Sequence, residues 1–258
     1  MMLKEVEVKD YFKRDGTVVN WWDPETSDMA HIYARQLDLV LGWLGKSGVK
    51  KVLDASCGKG RAIKRLQPAY SVTGVDISRK MLEYVKGLEL DRVDLVQADV
   101  DKLPFNSGVF DSVICLEALV HYPNPKVALD EFRRVLRPHG LLVIDVDNEN
   151  SLKRLVKKSG HTLNKLFERD FHPMSEGIFR AYTEPEFRKL LDESGFTLQD
   201  IAHLGVLVPT NFHLPGGRKV TVISQNFSKS AARLDQFLET FPLTSYLSTY
   251  TIALCERT

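Results

Sequence analysis

The stretch Val52-Leu53-Asp54-Ala55-Ser56-Cys57-Gly58-Lys59-Gly60-Arg61 decides the fold of this protein. It reads as an apolar strand that ends in an acidic residue, followed by a glycine-rich turn and the start of a helix. Glycine lets a ligand approach the backbone closely and tolerates positive φ. The unpaired N–H groups at the start of the helix would face the same ligand. This pattern is typical of a cofactor site.

The glycine spacing alone does not identify the cofactor. The usual dinucleotide fingerprint is G-x-G-x-x-G/A. Here Gly58-Lys59-Gly60 is followed by Ile63 at the third small position. A tight strand-to-helix turn that binds no ligand is therefore an alternative interpretation of this stretch.

The surrounding sequence alternates short apolar runs with amphipathic segments, which predicts βαβ units on a parallel sheet. The predicted strands of this half are Val49–Asp54, Ser71–Asp76, Val93–Gln97, Val109–Cys115 and Leu141–Val146. The predicted helices are Gly60–Leu66, Arg79–Leu90 with Ser78 as its cap, and one that starts at Asn124-Pro125 and stops at Pro138-His139-Gly140. Weaker patterns predict a helix over Phe187–Ser194, one near 231–240, and final strands over Phe196–Val208 and Ser248–Glu256.

Acidic residues follow three successive strands. Asp76 stands 22 positions after Asp54, the separation at which a carboxylate accepts hydrogen bonds from two ribose hydroxyls. Asp99 follows the third strand and could accept a hydrogen bond from an exocyclic amine such as that of adenine. Open α/β sheets bind ligands at the edge where these strands end.

Length, charge and cysteine content restrict the class of protein. The chain has 258 residues, 43% of them hydrophobic, which suits one large α/β domain with an insertion. A net charge of +1 excludes a strongly basic body, so we do not expect nucleic acid as a partner. Three separated cysteines without a CxxC pair indicate reduced thiols and no metal site. Without an apolar signal region or a membrane-spanning stretch, we expect a soluble, cytoplasmic protein.

Five motifs in this order resemble those of class I methyltransferases that depend on S-adenosyl-L-methionine (SAM). They are V-L-D-A-S-C-G-K-G-R, V-T-G-V-D-I-S, Q-A-D-V-D-K-L-P-F, F-D-S-V-I-C-L-E-A-L-V-H-Y and L-R-P-H-G-L-L-V-I. The resemblance covers residues 49–147, extends more weakly to Tyr182–Phe196, and is to the small-molecule branch that includes the quinone-biosynthesis enzymes. It implies an α/β, Rossmann-like, doubly wound sheet of seven strands, mostly parallel, whose last strand is antiparallel and pairs as a hairpin with the strand before it.

The resemblance also implies a cofactor site, with SAM as substrate and S-adenosyl-L-homocysteine (SAH) as product. The residues implied to bind the methionine part are Asp54, Ala55, Ser56, Gly58 and Gly60. Asp76 is implied to bind the ribose, and Leu116 to lie near the sulfonium. The residues implied to contact the adenine are Ile77, Met81, Asp99 and Val100. Ser56 departs from the family, which most often has glycine at this position.

His121 is the candidate general base for methyl transfer, because it follows the fourth strand at the cofactor edge. If the turn is helical, Glu117 lies on the same face and could orient the imidazole ring. A structural histidine is the alternative. A metal site made by this pair is disfavoured, because further ligands are missing nearby.

The regions outside the core are expected to choose the acceptor. We predict a helical N-terminal cap over 1–48, a SAM-binding core over 49–147, a lid insertion over 148–182 and a C-terminal completion of the sheet over 183–258. The cap offers the aromatic residues Tyr11, Phe12, Trp21 and Trp22. The segment 151–170 has a net charge of +4, so it could be a solvated lid helix, receive an anionic substrate or touch an anionic membrane.

The function predicted from the sequence is methylation of a small molecule at oxygen, nitrogen or carbon. The alternatives are an NAD(P)-dependent oxidoreductase and a non-catalytic SAM-binding module. Among methyltransferases, a lipid-like, prenylated or RNA acceptor is also open. Leu116-Glu117-Ala118-Leu119 stands where base N-methyltransferases carry an Asn-Pro-Pro-Tyr type of motif, which counts against base methylation.

Overall fold

The computed structural model describes residues 9–10, 12–13, 29–156, 180–213 and 219–258. Its main element is a seven-stranded sheet with the strand order β3-β2-β1-β4-β5-β9-β6. The strands are β1 Lys51–Ala55, β2 Ser71–Asp76, β3 Val93–Gln97, β4 Phe110–Cys115, β5 Leu136–Asp147, β6 Phe196–Leu204 and β9 Tyr250–Arg257. The first five are parallel, and β9 lies antiparallel between β5 and β6. This confirms the predicted Rossmann-like sheet and its antiparallel last strand. The predicted hairpin is wrong, because β9 pairs with β6 across two further strands and three helices of the chain.

Helices pack on both faces of the sheet. They are α1 Ala30–Gly45, α2 Arg61–Leu66, α3 Arg79–Lys86, α4 Pro125–Val135, α5 Glu184–Glu193, α6 Gln225–Ser230, α7 Ala232–Leu238 and α8 Pro242–Tyr246. Ile32 and Val40 of α1 share one apolar cluster with Ile63 and Val85, whereas Phe132 and Phe187 belong to the cluster on the opposite face. The central strands β1 and β4 are buried between the two clusters, which explains their continuous apolar runs.

The boundary between α4 and β5 differs from the prediction. The helix ends at Val135, and β5 begins at Leu136 instead of Leu141. Its pairing with β4 shifts register between the pairs Phe110–Leu136 and Ser112–Leu141. The Pro-His-Gly sequence at 138–140 therefore forms an irregular part of a strand, where proline is tolerated, and does not end the helix.

Two further features of the C-terminal part were not predicted. The strands β7, Thr210–His213, and β8, Lys219–Ile223, form a separate antiparallel pair. The helix predicted near 231–240 is present as α7, and the short helices α6 and α8 flank it on either side. Ser224 caps α6 and Pro242 occupies the first turn of α8, so capping and a proline start two of these short helices.

The predicted cap and lid are described only in part. In the cap, α1 is described together with short helical pieces at 9–10 and 12–13, and Tyr11, Trp21 and Trp22 lie outside the described residues. In the lid, residues 152–156 are helical and most of the basic segment lies outside the description. The boundaries of the four predicted regions stay a prediction.

Two findings bear on the expectations from composition. Cys57, Cys115 and Cys255 are buried and form no disulfide. Among the described residues, every helix is too short or too polar to cross a lipid bilayer.

Gly74 tests how tightly the sheet packs against its neighbours. A Cβ atom at this position in β2 would lie 2.6 Å from Cδ1 of Ile63 and 3.0 Å from Cδ2 of Leu95. We expect Gly74→Ala to lower the free energy of unfolding by about 1–3 kcal/mol, the usual effect of overpacking a core. Equilibrium urea denaturation measures this change.

Gly42 is the matched control, because a Cβ atom there has nothing within 4 Å. It lies inside α1, so Gly42→Ala should raise the free energy of unfolding by about 0.5–1 kcal/mol through helix propensity. Equal effects of the two substitutions would contradict the packing described here.

Candidate active site

A cavity of about 350 Å³ opens at the edge where the parallel strands end. Volumes of this order suit a small ligand. Its walls come from the turns after β1 to β4, from α1, β5 and β9, and from Lys9 and Phe12 near the N-terminus. Ten predicted site residues line it, namely Asp54, Ser56, Asp76, Ile77, Met81, Asp99, Val100, Leu116, Gly58 and His121.

Asp54 is a buried carboxyl group at the end of β1. Its side chain lines the cavity, it is 3% exposed, and its Oδ2 atom has no hydrogen-bond partner among the described residues. Burial raises the pKa of this carboxyl to about 7, opposed by the nearby Arg61 guanidinium. An unpartnered buried oxygen calls for a hydrogen-bond donor from a ligand. The site therefore fits a bound ammonium or amine.

Asp76 organises the glycine-rich turn from the end of β2. Its Oδ2 accepts from the Gly58 N–H at 2.9 Å, and its Oδ1 accepts from the Ser78 N–H at 2.8 Å. Burial raises the pKa of Asp76, and these N–H donors counteract that effect. Ser78 stands at the N-cap of α3 as predicted, but its side chain makes no capping hydrogen bond. The hydrogen bond from the Ser78 N–H to Asp76 fixes the residue just before the helix.

Ser56 explains why glycine is usual at its position. The residue has φ of +63°, a left-handed conformation that costs little only for glycine. Its hydroxyl lies 2.7 Å from the Tyr122 hydroxyl, which lines the same cavity. Serine is less stable than glycine in this backbone conformation, but its hydroxyl gains a hydrogen bond across the site.

The wall next to β3 carries a charged contact. Asp99 and Val100 line the cavity together with Ile77 and Met81. Lys9 Nζ lies 2.9 Å from Asp99 Oδ2 and 2.5 Å from Asp101 Oδ2. The N-terminal segment therefore reaches the part of the cavity for which the sequence predicts adenine binding.

Two of the predicted cofactor residues do not line the cavity. Ala55 is fully buried within the core, because its side chain points into the packed sheet. Gly60 begins α2 with φ of +76°, and a Cβ atom there would lie 3.0 Å from the Val85 side chain. The missing side chain at Gly60 therefore allows close packing of α2 against α3, and the cofactor contact predicted for this residue stays a prediction.

The wall after β4 differs from the predicted helical turn. A short 3₁₀ helix begins only at Leu119 and ends at His121, and Glu117 before it has φ of +58°. The two residues do not share a helical face, so the predicted orientation of the His121 ring by Glu117 is wrong. His121 lines the cavity with its ring 5.0 Å from the Phe12 ring. The described residues include no cluster of three or more metal-ligating side chains.

Glu117 belongs instead to a polar network beneath the cavity. Its N–H donates to Asp145 Oδ1 at 2.7 Å, and its carboxyl lies next to the buried Asp145 carboxyl. Gln36 Nε2 donates to Asp145 Oδ2 and lies 3.4 Å from Glu117 Oε1. Arg61 Nη2 donates to Gln36 Oε1 at 2.6 Å. Burial raises the pKa of Glu117 well above its ordinary value and that of Asp145 to about 6.

Two tyrosines close the cavity on the side of α1 and β9. The hydroxyls of Tyr33 and Tyr250 lie 3.0 Å apart, and both residues line the cavity. Burial raises the pKa of each phenol, so both stay neutral hydrogen-bonding groups near neutral pH. The Arg61 guanidinium lies 5.0 Å from the centre of the Tyr33 ring.

Sequence reasoning missed the residues of this network. Asp145 and Asp147 follow the apolar run Leu141–Ile144 at the end of β5. The rule that an acidic residue at the end of an apolar strand marks the ligand edge, called here the strand-end rule, found Asp54 and would also have found them. Gln36, Tyr33 and Tyr250 carried no comparable signal, because only the folded chain brings α1 and β9 to this edge.

Comparison with known proteins places this fold and site in one family. Residues 53–144 match the family described as "Methyltransferase domain". The ubiquinone biosynthesis O-methyltransferase of Azoarcus sp. (strain BH72) is 33% identical over 201 residues, which are 72% of this chain and 85% of that protein.

Another ubiquinone biosynthesis O-methyltransferase, from Alkalilimnicola ehrlichii, is 30% identical over 57% of this chain. The match spans 62% of that relative's length, and other curated relatives are matched over 48–59% of theirs.

A solved structure shows the same fold. It is the magnesium protoporphyrin IX methyltransferase (ChlM) from Synechocystis PCC 6803 with bound SAH, at a TM-score of 0.66 and 18% identity. The likeness covers 99% of this chain and 100% of that one. Together with the cavity at the carboxyl edge, the match over most of the Azoarcus relative settles the family: this chain belongs to the class I SAM-dependent methyltransferases.

Proposed function

We propose that this protein transfers the methyl group of SAM to a small molecule. The observation that supports this most is that one cavity collects Asp54, Asp76 and Asp99 from the ends of three successive strands. Each carboxylate suits a different polar part of the cofactor, and the unpartnered Oδ2 of Asp54 suits an amino group. The relatives named O-methyltransferases favour oxygen as the methylated atom.

The proposed cofactor contacts follow the walls of the cavity. Asp54, Ser56 and Gly58 hold the methionine part, and Ala55 and Gly60 shape the turn that carries these residues. Asp76 binds the ribose. The adenine lies among Ile77, Met81, Asp99 and Val100. Leu116 lies near the sulfonium, which carries the methyl group that SAM supplies when it is bound.

The residues on the opposite wall are proposed to hold the acceptor. His121, Tyr33, Tyr250 and Lys153 line this part of the cavity with Phe12. A methyl transfer needs a nucleophile aligned at near-attack distance in a site that excludes water. The aromatic rings supply an apolar wall, and the hydroxyl and charged groups orient a polar acceptor. His121 is the proposed general base.

The surroundings of the protein are also a proposal. We infer a cytoplasmic enzyme that contacts an anionic membrane surface through the basic segment 151–170 when its acceptor is lipid-like. The described part of this segment starts at Ser151 and includes the exposed Leu155.

NAD(P)H chemistry and a non-catalytic SAM-binding role are the competing functions. Calorimetry with SAM, SAH and NADH on the full chain separates the cofactors, and labelled SAM with cell extract shows whether a methyl group is transferred.

Asp76 tests the cofactor site. We expect Asp76→Asn to weaken SAM about 10- to 100-fold, because hydrogen bonds to a charged group contribute about 1.5–3 kcal/mol. Isothermal titration calorimetry measures the affinity. Asp94→Asn, an exposed acid on the neighbouring strand β3, is the matched control and should bind SAM like the wild type. Wild-type affinity in Asp76→Asn would remove Asp76 from the site.

Asp54 predicts a pH dependence of SAH binding. Its raised pKa of about 7 means that the carboxyl is mostly neutral below that pH and ionised above it. If it binds the ammonium of SAH, affinity should rise about tenfold between about pH 6 and pH 8, because the ionised form must be present for binding. Asp54→Asn should remove most of this dependence. An equally steep profile in the variant would assign the titration to another group.

His121 tests the acceptor wall. We expect His121→Ala to keep the SAM affinity and to slow turnover, measured as transfer of labelled methyl into cell extract. A loss of about 10²- to 10⁴-fold is the size expected of a general base. His139→Ala, an exposed histidine paired with Glu256 far from the cavity, is the control. Unchanged turnover in His121→Ala would assign His121 a purely structural role.

A further inference from the structure

The carboxyl groups of Glu117 and Asp145 form a pair under the acceptor wall, and the proposed cofactor contacts do not involve them. Glu117 lines the cavity, whereas Asp145 behind it is 1% exposed. Gln36 Nε2 donates to both carboxyl groups, so they lie side by side, and two adjacent buried carboxyl groups do not both ionise because their negative charges repel. The pair therefore carries a single negative charge and a proton next to the cavity.

The surrounding donors decide which member holds the proton. Arg61 has no acceptor atom, so the Gln36 oxygen must face Arg61 and the Gln36 NH₂ must face the carboxyls. Asp145 then accepts from Gln36 Nε2 and from the Glu117 N–H. Two N–H donors favour the ionised form of Asp145. Glu117, whose contact to Gln36 Nε2 is longer at 3.4 Å, is consequently the neutral acid of the pair.

The backbone supports a functional reason for this arrangement. Glu117 adopts φ of +58°, which is uncommon for a residue with a long side chain. Such strain persists where the surrounding structure imposes it, and it concentrates at functional sites. Here the strained turn holds the Glu117 carboxyl between Asp145 and the cavity.

We infer that Glu117 and Asp145 form a proton relay for an acceptor that carries a neutral hydroxyl group. This inference rests on the proposed function. As the acceptor oxygen forms its bond to the methyl carbon, the carbon–sulfur bond breaks and its electron pair stays on sulfur. The hydroxyl proton passes to Glu117, and the proton that Glu117 already holds passes to Asp145. Glu117 is the catalytic residue, and Asp145 and Gln36 are positioning residues around it. For such an acceptor the relay takes the proton that was assigned above to His121, and the tests below decide between the two residues.

The charges around the pair define the acceptor class. Asp147 from β5 adds negative charge, Arg61 from α2 adds positive charge, and Tyr33 and Tyr250 face Glu117 as neutral phenols. A carboxylate acceptor has no proton to give and would be repelled by the negative charge of Asp147 and of Asp145 behind Glu117. A hydroxyl group can donate to Glu117 or Asp147, which both line the cavity. The relay thus favours methyl ethers as products over methyl esters.

The first test reads the proton directly in the cofactor-free protein. Infrared spectra at about pH 8, one unit above the Asp54 pKa of about 7, should show a carboxylic-acid C=O band. Glu117→Gln should remove this band, and Glu193→Gln, a half-exposed acid at the end of α5, should leave it. A band that persists in Glu117→Gln would overturn the inference.

The second test uses labelled SAM with cell extract. Glu117→Gln and Asp145→Asn should each lower transfer about 10²- to 10⁴-fold while SAH affinity stays within about threefold of the wild type. Wild-type transfer should also fall as pH drops through the Asp145 pKa of about 6, since a protonated Asp145 cannot receive a second proton. The labelled product should be stable to mild alkali, as an ether is.

These outcomes separate the relay from the proposed function. Absence of SAH binding together with absence of transfer would contradict the proposed function itself. Normal SAH binding with undiminished transfer in Glu117→Gln would overturn the relay alone, as would label released by mild alkali as methanol. A large loss in His121→Ala beside normal transfer in Glu117→Gln would assign the proton to His121.

Discussion

The parallel pairing of β1 with both of its neighbours is the constraint on which the rest of the site depends. β1 aligns Asp54 with Gly74 of β2 and Ile114 of β4, and β2 aligns Asp76 with Gln97 of β3. Because the strands run the same way, their carboxyl ends meet at one edge of the sheet. The turns that follow all face the same cavity. An antiparallel neighbour would have sent the next turn to the opposite edge.

This edge carries more buried acid than stability alone would favour. Burial raises the pKa of Asp54, Asp76 and Asp145, which means that ionising these carboxyls inside the fold costs free energy. Asp76 and Asp145 recover part of that cost from two N–H donors each, while Asp54 keeps an unpartnered oxygen. Groups with such shifted pKa values concentrate at functional sites. We therefore interpret the acidic edge as a binding and proton-transfer surface.

The strand-end rule shows both how far the sequence reaches and where it stops. Applied to the first three strands, it found Asp54, Asp76 and Asp99, and the same rule extended to β5 would have found Asp145. The spacing of Glu117 and His121 suggested a helical turn after β4, where Glu117 instead has a positive φ. The resemblance gave Ala55 and Gly60 cofactor roles that stay predictions, and the structure shows that both residues also serve packing, against the core and against Val85.

The sequence by itself determined the family, the succession of strands and helices along the parallel half and the acidic residues that follow the first three strands. These features are local, because a strand, its turn and its capping groups lie within a few residues of one another. Only the tertiary structure decided the partners of Glu117, the pairing of Tyr33 with Tyr250 and the place of Lys9 beside Asp99. Those contacts join residues far apart in the chain, and they form only when the folded chain brings the N-terminal residues, α1, β5 and β9 to the same edge of the sheet.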